Sequence, residues 1–173
     1  MLMKPEVWFD AVESVATHGA RIIMTTPAGR RYSQRDSEEF SKAEHLVFIC
    51  GHYEGIDARV NTLVTDFVSL GDFVLTGGEI PAAAMVDSIV RLLPGVLGGG
   101  AAATARESFS EDGLLEAPQY TRPPVFRGMA VPEELSSGDH AKAESWRRRQ
   151  AFDLTGRMRP DLIEMGGTFA IGG

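Results

Sequence analysis

Two glycine-rich segments are the part of this sequence best suited to chemistry. They are Gly51–Asp57, which reads GHYEGID, and Ser69–Pro81, which reads SLGDFVLTGGEIP, and each begins where an apolar run ends. Glycine allows a backbone to adopt positive φ angles or to approach a bound molecule closely, so glycines clustered at strand ends favour recognition by main-chain groups. The pattern predicts a site for a flat, polar small molecule. The alternative is that these glycines only form tight turns.

Other small-molecule motifs fit the sequence less well. Gly98, Gly100 and Ala103 have the spacing of a dinucleotide fingerprint, but they follow a predicted helix, whereas that motif requires a strand leading into a helix. A phosphate-binding loop of the GxxxxGK[ST] type does not occur in the sequence. Cys50 and His52 offer two metal ligands, yet no further Cys/His cluster completes a site. We therefore expect no protein-bound metal.

Helices and strands are predicted to alternate before the first glycine segment. A helix is predicted over residues 5–16, and its apolar face holds Trp8, Ala11, Val12 and Val15. A strand over 21–25 follows, and a turn at 26–29 is predicted to end it. Ser33 and Asp36 form a capping box at the start of a short helix.

Two further strands and a helix complete the predicted positioning of the glycine segments. The strands cover 45–50 and 66–69, and Pro81 lies in the first turn of the helix. The buried stripe of that helix is Ala82, Met85, Val86, Ile89, Val90 and Leu93. Alternating strands and helices predict an α/β fold with a parallel sheet, whose ligands bind beyond the carboxyl ends of the strands. The loops around Pro27, Gly51 and Gly71 are predicted to lie there.

Length and composition limit the classes of protein to which the chain can belong. The chain has 173 residues, 43% of them hydrophobic, which is enough for one domain or for a domain with an appendage. The most apolar stretch, residues 80–97, contains Asp87, Arg91 and two prolines, so no membrane span is expected. The single cysteine, Cys50, agrees with a reducing compartment. We expect a soluble, cytoplasmic protein without a membrane partner.

Charge is distributed unevenly along the chain. The net charge is −7, which disfavours a polyanionic partner, but residues 139–160 contain six basic residues against three acidic ones. Such a basic helix is often only a solvated surface, and that alternative stays open here. Residues 98–104 consist of Gly, Ala and Thr and are predicted to form a flexible linker, after which a second module begins near Glu107.

Five motifs, in order, closely resemble the bacterial tRNA (guanine-N(1)-)-methyltransferase family. They are the two glycine segments, residues 87–98 (DSIVRLLPGVLG), residues 120–123 (YTRP) and residues 135–141 (LSSGDHA). The resemblance runs from Met1 to about Asp161. It implies a SPOUT-class α/β domain with a parallel sheet and a deep trefoil knot, a rare exception to the rule that chains do not thread their own loops. It also implies a small, mostly helical C-terminal module.

The resemblance implies that the knot loops bind S-adenosyl-L-methionine, the methyl donor. The matching positions are Thr25, Thr26, Pro27, Gly51, Tyr53, Glu54, Ser69, Leu70, Gly71, Phe73, Leu75, Gly77, Gly78 and Pro81. Main-chain N–H and C=O groups suit the donors and acceptors of adenine, and Leu70 and Leu75 suit an apolar wall. No metal is expected in the protein itself, whereas the family implies free Mg²⁺ as an accessory ion.

The reaction implied is methyl transfer to ring nitrogen 1 of the guanine 3′ to the anticodon. Removal of the proton on that nitrogen needs a base, and a cation stabilises the charge on the guanine oxygen. Arg91 matches the family's arginine; the alternative is a surface pair with Asp87, worth about 0.2–0.5 kcal/mol. Glu107 stands where the family has Asp. Its alternatives are a helix-start carboxylate, or replacement as base by Glu111 or Asp112.

The resemblance also implies the partners and the domain layout. The family acts on tRNA as a homodimer whose active sites are shared between subunits. Lys142, Arg147 and Arg148 are the predicted RNA-binding residues, and the basic helix that carries Trp146 is the predicted platform for RNA. The predicted layout is a knotted domain over 1–98, a linker over 99–106, a helical module over 107–162 and a frayed tail over 163–173.

Two alternatives to this function stay open from the sequence. The chain lacks the N-terminal segment and part of the C-terminal helical region that the family normally has, so we expect a fragment. Such a fragment is either active or a weak or inactive knotted protein that binds cofactor or RNA. The other alternative is a SPOUT methyltransferase acting on another RNA.

Overall fold

The computed structural model describes residues 1–98, 104–110 and 113–165. They fall into two units, Met1–Gly100 and Ala101–Gly173. The domain boundaries predicted near residues 98 and 107 stay a prediction, because residues 99–103 of the linker lie outside the described residues.

The first unit is a parallel sheet with helices on both faces. In chain order its elements are α1 (Pro5–Val15), β1 (Arg21–Arg31), α2 (Gln34–Phe40), β2 (Leu46–Cys50), a 3₁₀ helix (Ala58–Leu63), β3 (Asp66–Ser69) and α3 (Glu79–Val90). Within residues 1–98 the sheet has three strands in the order β2–β1–β3, and both pairings are parallel. The predicted α/β class with a parallel sheet is confirmed.

Successive residues of each strand serve opposite faces of the sheet, as the two-residue period of a strand requires. Ile23 of β1 and Val68 of β3 pack with α2 and α3, in a cluster that includes the fully buried Phe40 and Met85. On the other face, the core cluster consists of Val12, Met24, Ile49 and Val60, so α1 and the 3₁₀ helix cover that side. The sheet is therefore the middle of three layers.

Strand β1 is longer than the sequence predicts. The predicted turn at 26–29 does not end the strand; it protrudes from within it, since Thr25 and Arg30 both pair with Val68 of β3. Gly29 makes the return possible, because a Cβ there would lie 2.3 Å from the main-chain nitrogen of Val68. The chain does leave the strand at residues 26–29, as predicted, but it returns to pair with β3 again, so the strand does not end there.

The helix faces also differ from the prediction. In α1 the side packed on the core consists of Trp8, Phe9, Val12 and Ala16, whereas Ala11 and Val15 are exposed. Burial of the aromatic Phe9 rotates the helix relative to the predicted face.

In α3, Ala82, Met85 and Ile89 are buried, but Val86, Val90 and Leu93 are each about 40% exposed. Helix α3 also ends at Val90, before Leu93.

The capping box predicted for α2 is present. The Asp36 carboxylate accepts hydrogen bonds from the main-chain N–H and the hydroxyl of Ser33, at 2.7 and 2.8 Å. Behind this cap, the hydroxyls of Tyr32, Ser37 and Ser88 are linked by hydrogen bonds of 2.8–3.2 Å. The start of α2 is thereby tied to the last turn of α3.

Ion pairs join β1, β3 and α2. Arg21 donates two hydrogen bonds to the Asp66 carboxylate, at 2.6 and 2.8 Å, and also pairs with Glu39 at 2.9 Å. Arg30 forms an ion pair with the buried Asp36 and lies 3.9 Å from Asp66. The Arg21 guanidinium holds the pKa of Asp66 below its usual range. A bidentate pair with a buried carboxylate of this kind is strongly oriented.

About half of the described residues of the second unit are helical. Its elements are the strands β4 (Val125–Phe126) and β5 (Met129–Ala130) and the helices α4 (Glu133–Ser136), α5 (His140–Met158) and α6 (Pro160–Met165). The antiparallel strands are joined through Arg127 and Gly128, both with positive φ, as a two-residue hairpin requires.

Residues 163–165 of the predicted tail are helical, and 166–173 lie outside the described residues. Among the described residues, the helices are too short or too polar to cross a membrane.

Replacement of Asp66 by Asn is expected to destabilise the first unit. The variant removes the charge that Arg21 and Arg30 face, at a cost of about 2–3 kcal/mol in the free energy of unfolding at pH 7. A carboxylate with a depressed pKa stabilises the fold above its unfolded-state pKa and loses that contribution as the pH falls through the folded-state value. The difference between wild type and Asp66→Asn should therefore shrink below about pH 4, as measured by urea unfolding followed by circular dichroism.

The control for this experiment is Asp10→Asn. Asp10 lies on the exposed side of α1, and its side chain makes no hydrogen bond or ion pair to any other described residue. This variant should unfold like the wild type at every pH. An Asp66→Asn difference that stays constant from pH 7 to pH 3 would contradict the role assigned to the carboxylate charge.

Candidate functional site

A cavity of about 410 Å³ lies in the first unit, at the carboxyl ends of its strands. Three segments form its walls: Thr25–Pro27 where β1 protrudes, Gly51–Ile56 after β2, and the chain from Ser69 to Gly78 after β3. Parallel sheets bind ligands at this edge because the loops that follow neighbouring strands meet there. The volume falls within the range of about 300–1,000 Å³ that is typical of small-molecule sites.

The two glycine segments contact each other directly. The main-chain N–H of Gly78 donates to the carbonyl of Gly51 at 2.8 Å, and His52 and Gly77 form an antiparallel bridge. A Cβ at Gly78 would lie 2.3 Å from Thr25 Oγ1 and 2.7 Å from the Cα of Cys50. Only glycine fits at this point, so the close approach of the segments depends on it.

The first glycine segment has a constrained backbone. Tyr53 has a φ of 57°, a left-handed conformation that costs about 1–2 kcal/mol for a residue with a side chain. The neighbouring Gly55, with a φ of 113°, donates to the carbonyl of His52 and accepts from the N–H of Met3, at 3.1 and 2.9 Å. Contacts on both sides hold Tyr53 in its strained conformation, which places its ring, two-thirds exposed, at the cavity.

The second glycine segment presents unpaired main-chain groups. The backbone of Val74 and Leu75 makes no hydrogen bond to any other residue that the structure describes, although both residues line the cavity. The side chains of Phe73, Val74 and Leu75 are exposed at its rim. Free N–H and C=O groups beside apolar surface suit a ligand with a flat ring and polar edges.

Cys50 lies at the end of β2, beneath this cavity. Burial raises the pKa of its thiol, and the negative charge of Glu79 adds to the effect. The thiol therefore stays protonated at neutral pH, and a protonated thiol is a poor metal ligand and a poor nucleophile.

A second cavity, of about 1070 Å³, lies within the second unit. Its lining includes Arg106, Glu107, Tyr120, Arg122, Arg147 and Arg148. The Asp139 carboxylate caps helix α5 by accepting from the N–H groups of Ala141 and Lys142, at 3.0 and 3.1 Å. The basic residues of α5 are thereby presented on a stable helix.

A model of the family described as tRNA (Guanine-1)-methyltransferase TrmD matches residues 1–165. This chain belongs to that family. Curated relatives named tRNA (guanine-N(1)-)-methyltransferase include those of Exiguobacterium sibiricum, 58% identical over 165 residues, Bacillus subtilis, 53% over 168, and Staphylococcus aureus, 54% over 166. Each match covers 95% of this chain and 67–68% of the relative, so the chain spans about two thirds of their length. The predicted family and its class of enzyme are confirmed.

All fourteen cofactor positions implied by the tRNA (guanine-N(1)-)-methyltransferase resemblance line the 410 Å³ cavity. Cofactor binding by these residues stays a prediction. Sequence reasoning missed three lining residues that carry side-chain hydrogen-bonding groups, His52, Asn61 and Thr76. His52 lies inside the first glycine segment and was considered only as a metal ligand. Asn61 belongs to the 3₁₀ helix, which no pattern in the sequence indicated.

The two predicted catalytic residues occupy different units. Arg91 follows the last residue of α3 as its C-cap, is half-buried, and does not line the cavity of the first unit. Glu107 is half-buried in a series of turns, in which its N–H donates to the carbonyl of Thr104 and its carbonyl accepts from Ser110. The alternative in which Glu107 opens a helix therefore does not hold. The other possible bases, Glu111 and Asp112, lie outside the described residues.

The predicted RNA-binding residues are exposed on α5. Lys142 lies 3.6 Å from Asp139 and Arg147 lies 3.7 Å from Glu144, whereas Arg148 makes no ion pair with any described residue. Trp146 itself offers no exposed ring to RNA, because its side chain is buried, with an exposed fraction of 7%, and the role of the basic helix as a platform stays a prediction. The ring of Trp146 packs edge-on against Tyr120, at 6.0 Å between centroids, and it is Tyr120 that is exposed.

Replacement of Gly78 by Ala is expected to destabilise the first unit. The added methyl group would overlap the Cα of Cys50, which belongs to the backbone of β2 and cannot rotate away. Overpacking of this kind costs about 1–3 kcal/mol, so the urea midpoint of the variant should fall. The control is Gly98→Ala, because no residue that the structure describes lies within 4 Å of an added Cβ at Gly98. Equal midpoints for the two variants would contradict the close approach described here.

Proposed function

We propose that this chain transfers a methyl group from S-adenosyl-L-methionine to ring nitrogen 1 of the guanine 3′ to the anticodon in tRNA. The observation that carries the proposal is the cavity of the first unit, around which all fourteen predicted cofactor residues come together. S-adenosylmethionine, when bound, supplies an electrophilic methyl group. The main chain of Val74 and Leu75, which makes no hydrogen bond to another described residue, and the apolar rim fit its adenine ring.

The acceptor chemistry is assigned to two side chains. Glu107 accepts the proton from the guanine ring nitrogen, and the Arg91 guanidinium stabilises the negative charge that develops on the guanine oxygen. Arg91 lies at the carboxyl end of α3, where the helix dipole favours a cation. Free Mg²⁺ is proposed as an accessory ion and tRNA as the substrate.

We propose a homodimer with a knotted fold and shared active sites, acting in the cytoplasm. Support for the dimer comes from α3 and the residues directly after it, where Val86, Val90 and Leu93 expose an apolar strip. Burial of such a strip stabilises an interface by about 25 cal/mol for each Å² of apolar surface removed from water. Support for the knot comes from the family.

The assay that tests the function follows a tritiated methyl group from S-adenosylmethionine onto unmodified tRNA and then maps the modified base. The wild type is expected to label nitrogen 1 of the guanine 3′ to the anticodon. Glu107→Gln should lower the rate by about 100-fold or more, because the amide cannot accept the proton. It should leave the affinity for S-adenosylmethionine, measured by calorimetry, unchanged.

Glu133→Gln is the matched control, since Glu133 is exposed in the second unit and its side chain makes no hydrogen bond or ion pair to another described residue. It should retain full activity. Labelling of a different base, or of another RNA only, would contradict the proposed substrate. Full activity of Glu107→Gln would remove Glu107 as the base.

Contact between α5 and tRNA phosphates predicts a change in salt dependence. Arg147→Ala combined with Arg148→Ala should weaken tRNA binding, and the slope of log Kd against log salt concentration should become shallower by about 1–2. The measurement is a filter-binding titration at several salt concentrations. The control combines Lys4→Ala with Arg35→Ala, which removes the same charge from exposed positions of the first unit. Equal slopes for the two double variants would contradict the assignment to α5.

A further inference from the structure

One side chain links the two glycine segments. The Nδ1 atom of His52 lies 2.7 Å from the carbonyl oxygen of Thr76. A carbonyl oxygen can only accept, so Nδ1 carries the proton and donates. This hydrogen bond lies beside the main-chain bond from Gly78 to Gly51, and together they close the cavity wall at one corner.

The imidazole ring has a well-defined place. It lies 4.6 Å from the ring of Tyr53, with the two planes inclined by 50°. A Cβ at Gly77 would come within 2.8 Å of His52 Nδ1, so the absence of a side chain at Gly77 allows the imidazole to reach Thr76. His52 itself is exposed, and a change there removes no core packing.

The segment that His52 holds has little other support. The side chains of Phe73, Val74 and Leu75 are exposed, and the main chain of Val74 and Leu75 makes no hydrogen bond to another described residue. Segments with exposed side chains and few hydrogen bonds open readily. The position of this part of the wall therefore depends strongly on the hydrogen bonds that Thr76 and Gly78 make to the first glycine segment.

We propose that His52 is a positioning residue for the cofactor site: its Nδ1–H holds Thr76, and thereby sets the wall formed by Phe73–Leu75 in the shape that the ligand requires. The proposal rests on the proposed function for the identity of the ligand, S-adenosylmethionine. His52 is given no contact with the reacting atoms. It restricts the wall to its binding position before the ligand arrives, and this preorganisation raises the affinity for the ligand.

Three substitutions separate the hydrogen bond from the ring. His52→Asn places an amide nitrogen about where Nδ1 lies and keeps the donor; His52→Gln places it about where Nε2 lies; His52→Ala removes it. Calorimetry with S-adenosylmethionine should give an affinity near that of the wild type for His52→Asn. The Gln and Ala variants should bind about 3- to 10-fold more weakly, the usual effect of one lost hydrogen bond.

A second measurement needs no ligand. Hydrogen–deuterium exchange of the ligand-free protein should be faster in the peptide covering residues 70–78 for the Ala and Gln variants, by a similar 3- to 10-fold, and unchanged for the Asn variant. Urea midpoints of all three should equal that of the wild type, because His52 is exposed. In the methyl-transfer assay, KM for S-adenosylmethionine should rise in the Ala and Gln variants while KM for tRNA stays constant.

The outcomes distinguish this proposal from the function on which it rests. Exchange in residues 70–78 that is the same in all four proteins would overturn the role of His52. Weakening by His52→Asn as large as that by His52→Ala would also overturn it. A wild type that fails to bind S-adenosylmethionine contradicts the proposed function instead, and the exchange measurement then still decides whether His52 holds Thr76.

Discussion

The close approach of main chains at two glycines is the constraint on which the rest of the first unit depends. At Gly29 a Cβ would lie 2.3 Å from the nitrogen of Val68, and at Gly78 it would lie 2.7 Å from the Cα of Cys50. These contacts bring the protrusion within β1 and the segments after β2 and β3 together at the edge of the sheet. The cavity lies where these three segments meet.

Such a close meeting of loops needs a rigid base, and ion pairs between the strands provide it. Arg21 and Arg30 of β1 share the carboxylate of Asp66 at the start of β3, and Arg30 also pairs with Asp36 of α2. The guanidinium groups of both arginines also stack over the ring of Phe40, at 5.2 and 5.8 Å from its centroid. Because the partners lie on different elements, the network fixes β1 relative to β3, and the loops that follow these strands start from fixed positions.

Sequence patterns correctly predicted the features whose stabilising interactions lie within a few residues of each other. The capping box at Ser33 and Asp36 and the strand over 66–69 are confirmed, since their signals lie within a few residues. The protrusion inside β1 was not predictable, because it depends on pairing with β3, almost 40 residues away. The burial of Trp146 was missed for a similar reason: a basic helix gives no sign that Tyr120, far along the chain, covers its one tryptophan.

The candidate site was more predictable than the faces of the helices because it is formed largely by main-chain atoms. Glycines at strand ends report directly on backbone approach, so the sequence alone indicated which loops meet. A helix face, in contrast, depends on what packs against it: Val86 and Val90 follow the period of a buried stripe yet remain exposed. A site read by the backbone also tolerates side-chain changes around it. The side chains that matter at such a site are then those that hold the backbone in place, and His52 meets that description, since its ring bonds to a main-chain carbonyl.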